Sequence, residues 1–129
     1  MHYSISFIPE TEYILVKMAG EIEVPVMKQV IVDTGHVILE HNCNDVLGDF
    51  RDVNMSINIM ALIDLYKYWI KTLKDNRLST YEAKRVILLS PDQANSEKYR
   101  FFETFSTNRS SRVRMFYDMD ESLRWLKGE

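Results

Sequence analysis

The chain has 129 residues, with 16 Lys and Arg against 19 Asp and Glu, so its formal charge is −3. Hydrophobic residues make up 46% and charged residues 27%, the usage of one globular domain that buries roughly two thirds of its unfolded surface without disulfides. The acidic balance argues against a nucleic-acid partner, which needs a contiguous positive field, and the single Cys43 needs no oxidising compartment.

From the amino end, Tyr3, Ile5 and Phe7 alternate with His2, Ser4 and Ser6, the period of a strand with one covered face. Pro9 and Glu10 end it, and Tyr13 to Met18, closed by Gly20, reads as a second strand returning beside the first in a hairpin. From Pro25 to about His41 the residues Met27, Val30, Ile31, Val37 and Ile38 recur at helical spacing, with Pro25 in the first turn, where it has no N–H to lose. Gly35 weakens that helix.

Val46 to Phe50 is a short apolar run bounded by polar residues, the pattern of a strand buried in a sheet. Ile59, Leu62, Ile63, Tyr66, Trp69, Ile70 and Leu73 then mark the clearest helix of the chain. Ser56 stands ahead of it as the expected N-cap, with Asn54 as the alternative. Val86 to Leu89, ended by Ser90-Pro91-Asp92, predicts another interior strand. A helix is expected from about Asn95 to Asn108, with an aromatic face of Tyr99, Phe101, Phe102 and Phe105. Val113 to Tyr117 is the last strand, and Asp118, Asp120 and Glu121 open a terminal helix carrying Leu123, Trp125 and Leu126.

The order β-β-α-β-α-β-α-β-α predicts a single α/β domain built on a mixed five-stranded sheet with right-handed crossovers. Ligands and partners then meet the loops at the carboxyl ends of the parallel strands, Arg51 to Ser56 and Ser90 to Asn95. The start, Met1-His2-Tyr3-Ser4, lacks a signal peptide's basic and apolar regions, and no run approaches the roughly 18 apolar residues of a membrane span. A cytoplasmic protein is expected.

Several groups of residues invite a chemical reading. Asp49-Phe50-Arg51-Asp52 puts two acids and a base at a strand end, either for acid–base work or as an ion pair that closes the strand. Ser56 is either a cap or a site for phosphate, which a helix N-terminus stabilises. His36, His41 and Cys43 offer zinc-type donors at poor spacing and without a fourth ligand, so no metal or other cofactor is expected. Lys98, Arg100, Arg109, Arg112 and Arg114 make one stretch locally basic, as a phosphate dock or a solvated face beside a charged edge strand. Ile57, Met60, Ala61, Leu65 and Tyr68 form a second apolar set on the long helix, fit for a wide core stripe, a subunit interface or an apolar ligand. No phosphate-loop, dinucleotide, hydrolase or zinc-protease motif occurs.

The string Lys98-Tyr99-Arg100-Phe101-Phe102-Glu103-Thr104, with Asn108-Arg109, Val113-Arg114-Met115-Phe116 and Glu121-Ser122-Leu123-Arg124-Trp125-Leu126, resembles the SpoIIAA-like branch of the STAS superfamily. Tyr13 to Glu21 and Asp49-Phe50-Arg51-Asp52 add to this likeness, which spans nearly the whole chain. In STAS domains of the anti-sigma-factor antagonist type, a serine in an Asp-Ser-Ser/Thr-Gly loop is phosphorylated and switches partner binding. Here that stretch reads Asp52-Val53-Asn54-Met55-Ser56-Ile57-Asn58, without the motif, and only Ser56 matches by approximate position. The resemblance implies a non-enzymatic regulatory or binding module, with lipids or nucleotides as ligands in the wider superfamily. The first reading is a protein-interaction module, a homodimer, using Asp49, Arg51, Asp52, Asn54 and Ser56, and the alternative is a carrier or sensor of a lipid or nucleotide held near Met60, Tyr68, Arg100, Phe101, Phe105 and Arg109. An enzyme using Asp49, Arg51 and Asp52 is the third reading.

Overall fold

The structure, a computed structural model, describes residues 1–79, 84–93, 96–109 and 112–128. Its strands are β1 (His2–Ile8), β2 (Tyr13–Glu21), β3 (Asp45–Asn54), β4 (Lys84–Leu88) and β5 (Arg112–Phe116). Its helices are α1 (Val24–His41), α2 (Ile59–Asp75), α3 (Glu97–Asn108) and α4 (Met119–Leu126). The element order is the one the periodicities predict. Asn95, the expected start of the third helix, lies outside the described residues, as does Ala94.

The five strands form one sheet in the order β1-β2-β3-β4-β5. The β1–β2 hairpin is antiparallel and every other pairing is parallel. Each parallel crossover steps in the same direction, and right-handed connections that all step one way lie on one face of the sheet. That face receives Ile14, Val16 and Met18 of β2 and Val46 of β3, which join Met27, Val30, Ile31 and Ile38 of α1 and Leu65 and Leu73 of α2 in the larger core. The alternate residues Tyr13, Leu47, Val86 and Leu88 face the other way and are covered by α4 through Leu126 and Trp125.

Because the strand order never reverses, the crevice that splits doubly wound sheets at a reversal has no counterpart here. The loops after β3 and β4 still lie at the carboxyl ends of parallel strands, without such a crevice between them. Gly35 also has a role that propensity alone conceals. A Cβ there would lie 3.2 Å from Asn76 Nδ2 and 3.3 Å from Thr72 Cγ2, so the glycine lets α1 and α2 approach closely.

Strands β4 and β5 are shifted by one or two residues, and two features of the β3–α2 connection differ from expectation for identifiable reasons. Strand β3 runs to Asn54 rather than ending at Phe50, because Asp52, Val53 and Asn54 keep pairing with Ala19, Gly20 and Glu21 of β2 after a bulge. The N-cap of α2 is neither Ser56 nor Asn54. Asn58 caps the helix, its side-chain oxygen accepting from Ala61 N at 2.9 Å. Asn54 ends the strand, and its carbonyl accepts from Ile22 N and Ser56 N.

Candidate functional site

At the bulge, Met18 of β2 stands opposite both Phe50 and Arg51, since the ladder passes from Lys17 and Asp49 to Ala19 and Asp52. A bulge of this kind re-aims the side chains that follow it. Here it brings Arg51 back onto Asp49. The Asp49 carboxylate accepts from Arg51 N at 3.1 Å, Arg51 Nε at 3.0 Å and Arg51 Nη2 at 2.8 Å. Asp49 is 4% exposed, while 44% of the Arg51 side chain is open to solvent. Burial alone raises the Asp49 carboxyl, but the Arg51 side-chain and backbone hydrogen bonds and charge, with Lys17 across the ladder, outweigh it and hold the carboxyl below its ordinary value. This is a satisfied carboxylate locked in its charged form, the opposite of a group poised to take up a proton near neutral pH.

Beyond Leu88 the β4 strand has ended, and part of the β3 backbone finds its partners elsewhere. Gln93, in a 3-10 turn over Pro91–Gln93, donates from Nε2 to Phe50 O at 2.9 Å and Val53 O at 3.1 Å. Its Oε1 accepts from Ser90 N at 2.8 Å and Ser90 Oγ at 3.1 Å. One amide thus ties the loop after β4 to the end of β3. Lys98, on the first turn of α3, adds a hydrogen bond to Met55 O at 3.3 Å. Met55 and Ile57 pack on the larger core while Asn54, Ser56 and Asn58 are exposed. At the start of α2, Ile59 and Met60 are 39% and 66% exposed, a large share for apolar side chains.

The expected partner-binding residues therefore divide. Asp49 and Arg51 occupy each other on the α4 side of the sheet, and Asp52 is exposed beside them. Asn54, Ser56 and Met60 share the surface around the β3–α2 connection. Tyr68, further along α2, lies under the Lys28 ammonium, 5.3 Å from its ring centroid. On α3, Phe101 and Phe105 pair at 5.7 Å, Phe105 meets Tyr66 edge-on at 5.3 Å, and Arg109 lies 3.5 Å over the Phe105 ring. Arg100 is exposed on the same helix.

The locally basic stretch does not form one patch. Lys98 turns to the β3–α2 connection, while Arg114 stacks over Phe116 and Trp125 at 5.3 and 5.7 Å on the α4 side. His41 stacks on Phe7 at 4.3 Å, and Cys43 Sγ donates to Glu12 O at 3.3 Å. Among the described residues no group of three or more His, Cys, Asp or Glu is placed to hold a metal ion, and no helix is long and apolar enough to cross a membrane.

Between the sheet and its three crossover helices lies a cavity of about 160 Å³ whose surface is almost entirely carbon. The six residues expected at a ligand, Met60, Tyr68, Arg100, Phe101, Phe105 and Arg109, do not line it. Their neighbours do: Tyr66 and Trp69 on α2, and Lys98, Tyr99 and Phe102 on α3, with Arg85 of β4. The guanidinium of Arg85 is buried over the Trp69 ring, 4.5 Å from its centroid. Arg85 and Tyr99 are not functional candidates in the sequence, whereas Gln93 belongs to the Ser90 to Asn95 loop expected at the carboxyl end of β4. The available signal was Arg85, a charge that joins the covered face of β4 through its period-2 relation to Ile87.

No protein-family model matches the chain, and no curated protein matches it. Among solved structures it is similar to the anti-sigma factor antagonist SpoIIAA in its unphosphorylated form, at 12% sequence identity and a TM-score of 0.62, over 99% of this chain and all of that one. The chain has the SpoIIAA-like α/β fold from end to end.

Proposed function

We propose that this protein is a non-enzymatic regulatory module of the cytoplasm that binds a protein partner through the β3–α2 connection and the first turn of α2. The observation that carries this reading is the pair Ile59 and Met60, apolar side chains left open to solvent beside the exposed Asn54, Ser56 and Asn58. Apolar groups rimmed by polar ones are the composition of a contact surface. The connection is held from below by Gln93 and Lys98, and a surface with a fixed backbone loses little freedom on binding.

The structural neighbour is an anti-sigma factor antagonist that has an unphosphorylated form, which supports a regulatory role for the shared fold. Ser56 is the exposed hydroxyl on this connection where a phosphate would place negative charge beside Ile59 and Met60, disfavouring an apolar contact. The Asp49–Arg51 pair supports a non-enzymatic reading, because two of the three residues of the acid–base set are engaged with each other while Asp52 stands exposed beside them. Native mass spectrometry of the protein drawn gently from its own host tests the proposal. A second protein retained in the spectrum supports it, and a chain without any protein partner in every preparation counts against it. The same spectrum reports the subunit number, where a homodimer is expected, and any phosphate on Ser56.

A further inference from the structure

Positive charge gathers on the α4 side of β4 and β5, in a chain whose formal charge is −3. Lys84 and Arg112 are direct register partners, and such neighbours point to the same face with their strands about 4.8 Å apart. Arg114 follows two positions later on that face, about 6.6 Å further along β5. Like charges set directly opposite destabilise a sheet, so the Lys84–Arg112 pair works against the fold. Among the described residues Lys84, Arg112 and Arg114 have no ion-pair partner. The one neighbouring acid, Asp45 on β3, pairs across the ladder with Lys84, but its carboxylate is taken by Lys127 at 3.0 Å.

Aromatic rings hold two of these cations in place. Lys84 Nζ donates to Trp125 O at 3.2 Å and lies 5.3 Å from the centre of that ring. The Arg114 guanidinium lies 5.3 Å over Phe116 and 5.7 Å over Trp125. A stacked guanidinium keeps its planar N–H edge open to a carboxylate, and it has already lost part of the freedom that binding costs. Arg112 and Arg114 are both exposed. Protection of an edge strand by charge accounts for less than this arrangement. The Met115 N–H on the outer strand is already taken by the Glu103 carboxylate at 2.7 Å, and Lys84 belongs to an interior strand.

We propose that the α4 side of β4 and β5 is a distinct interaction surface, which takes an extended acidic segment of a protein partner with its carboxylates on Arg112 and Arg114. An extended chain repeats its side chains on one side every 6.6 Å or about that distance, which is the spacing of the two arginines. Acids at alternate positions therefore meet both, and the first of them also relieves the repulsion between Arg112 and Lys84. A nucleic acid suits the surface less well, because the net negative charge of the chain opposes a long polyanion, whereas a short acidic segment draws on cations within a Debye length of about 8 Å. The inference goes beyond the contact reading and does not rest on it, since Ile59 and Met60 belong to α2, which packs on the opposite face of the sheet.

The test is fluorescence anisotropy with a short labelled peptide that alternates threonine with glutamate, beside the same peptide with glutamine for glutamate and a labelled oligouridylate. The glutamate peptide should bind at least about tenfold more tightly than the glutamine peptide, and more weakly as salt is raised. Arg112→Gln combined with Arg114→Gln changes two exposed side chains, so the variant should fold like the parent and bind the glutamate peptide about tenfold more weakly. Met60→Asp should leave that affinity within about twofold, so failure of the contact reading and failure of this one are told apart. Equal binding of the two peptides, unchanged affinity in the double variant, or tighter binding of the oligouridylate than of the glutamate peptide would each overturn the proposal.

Discussion

Asp49 shows how one residue type takes opposite meanings in sequence and in space. Read along the chain, Asp49, Arg51 and Asp52 are charges at a strand end. Folded, the bulge at Phe50 and Arg51 turns the guanidinium onto a buried carboxylate, which then accepts three hydrogen bonds. Arg51→Ala would leave that carboxylate buried without its side-chain partner, so a loss of about 1–2 kcal/mol at pH 7 is expected from denaturant unfolding. The pH dependence has a definite sign. The folded carboxyl lies below its unfolded value, so the pair's contribution is fully present above about pH 4 and is lost as the pH falls through the folded value. The stability gap between the parent and Arg51→Ala should therefore narrow below about pH 4. A gap that stayed constant down to pH 2 would show that the charge of Asp49 has no part in it.

At the scale of elements, the connection between β3 and α2 depends on two side chains that sequence reasoning treated as ordinary loop residues. Asn58→Ala removes the observed cap and should cost about 1 kcal/mol, whereas Ser56→Ala should fall within about 0.5 kcal/mol of the parent. Equal losses, measured by thermal or denaturant unfolding, would return the cap to Ser56. Gln93→Ala strands the carbonyls of Phe50 and Val53 and should cost about 1–3 kcal/mol. It should also speed hydrogen exchange at the Ser90 amide, whose acceptor is the side-chain oxygen Oε1 of Gln93. Exchange at Ser90 unchanged in that variant would mean the clamp is not what orders the loop.

The sequence exposed the element order because each element carries its own period. The alternation of Tyr3, Ile5 and Phe7 and the unbroken helical spacing from Ile59 to Leu73 are local signals. It concealed the end of β3, because Asp52 and Asn54 look like turn residues until β2 pairs with them. It concealed the cap as well, since Ser56 and Asn58 are equally good capping types and only the backbone path separates them. Gln93 bridges to Phe50 and Val53 across some forty positions, and no local pattern announces a contact of that range.

For the whole molecule, the strand order decides where function can sit. A sheet ordered β1 to β5 without reversal gathers α1, α2 and α3 on one face and leaves α4 to cover the other. No crevice opens between halves of the sheet, and the proposed contact surface lies instead at the carboxyl end of β3. This strand order was not legible in a single sequence, since hydrophobic periods reveal strands but not their neighbours. The proposed contact module rests on the exposed Ile59 and Met60, with Asp49 and Arg51 engaged with each other. The most direct measurement of that claim is quantitative capture from the native host with the tagged protein, Met60→Asp beside the parent and Thr104→Glu as a surface control on α3. A specific protein recovered with the parent and the control, and reduced at least about tenfold with Met60→Asp at unchanged thermal stability, is the predicted result. Equal recovery with all three proteins, or no protein recovered above background with any of them, would contradict the account.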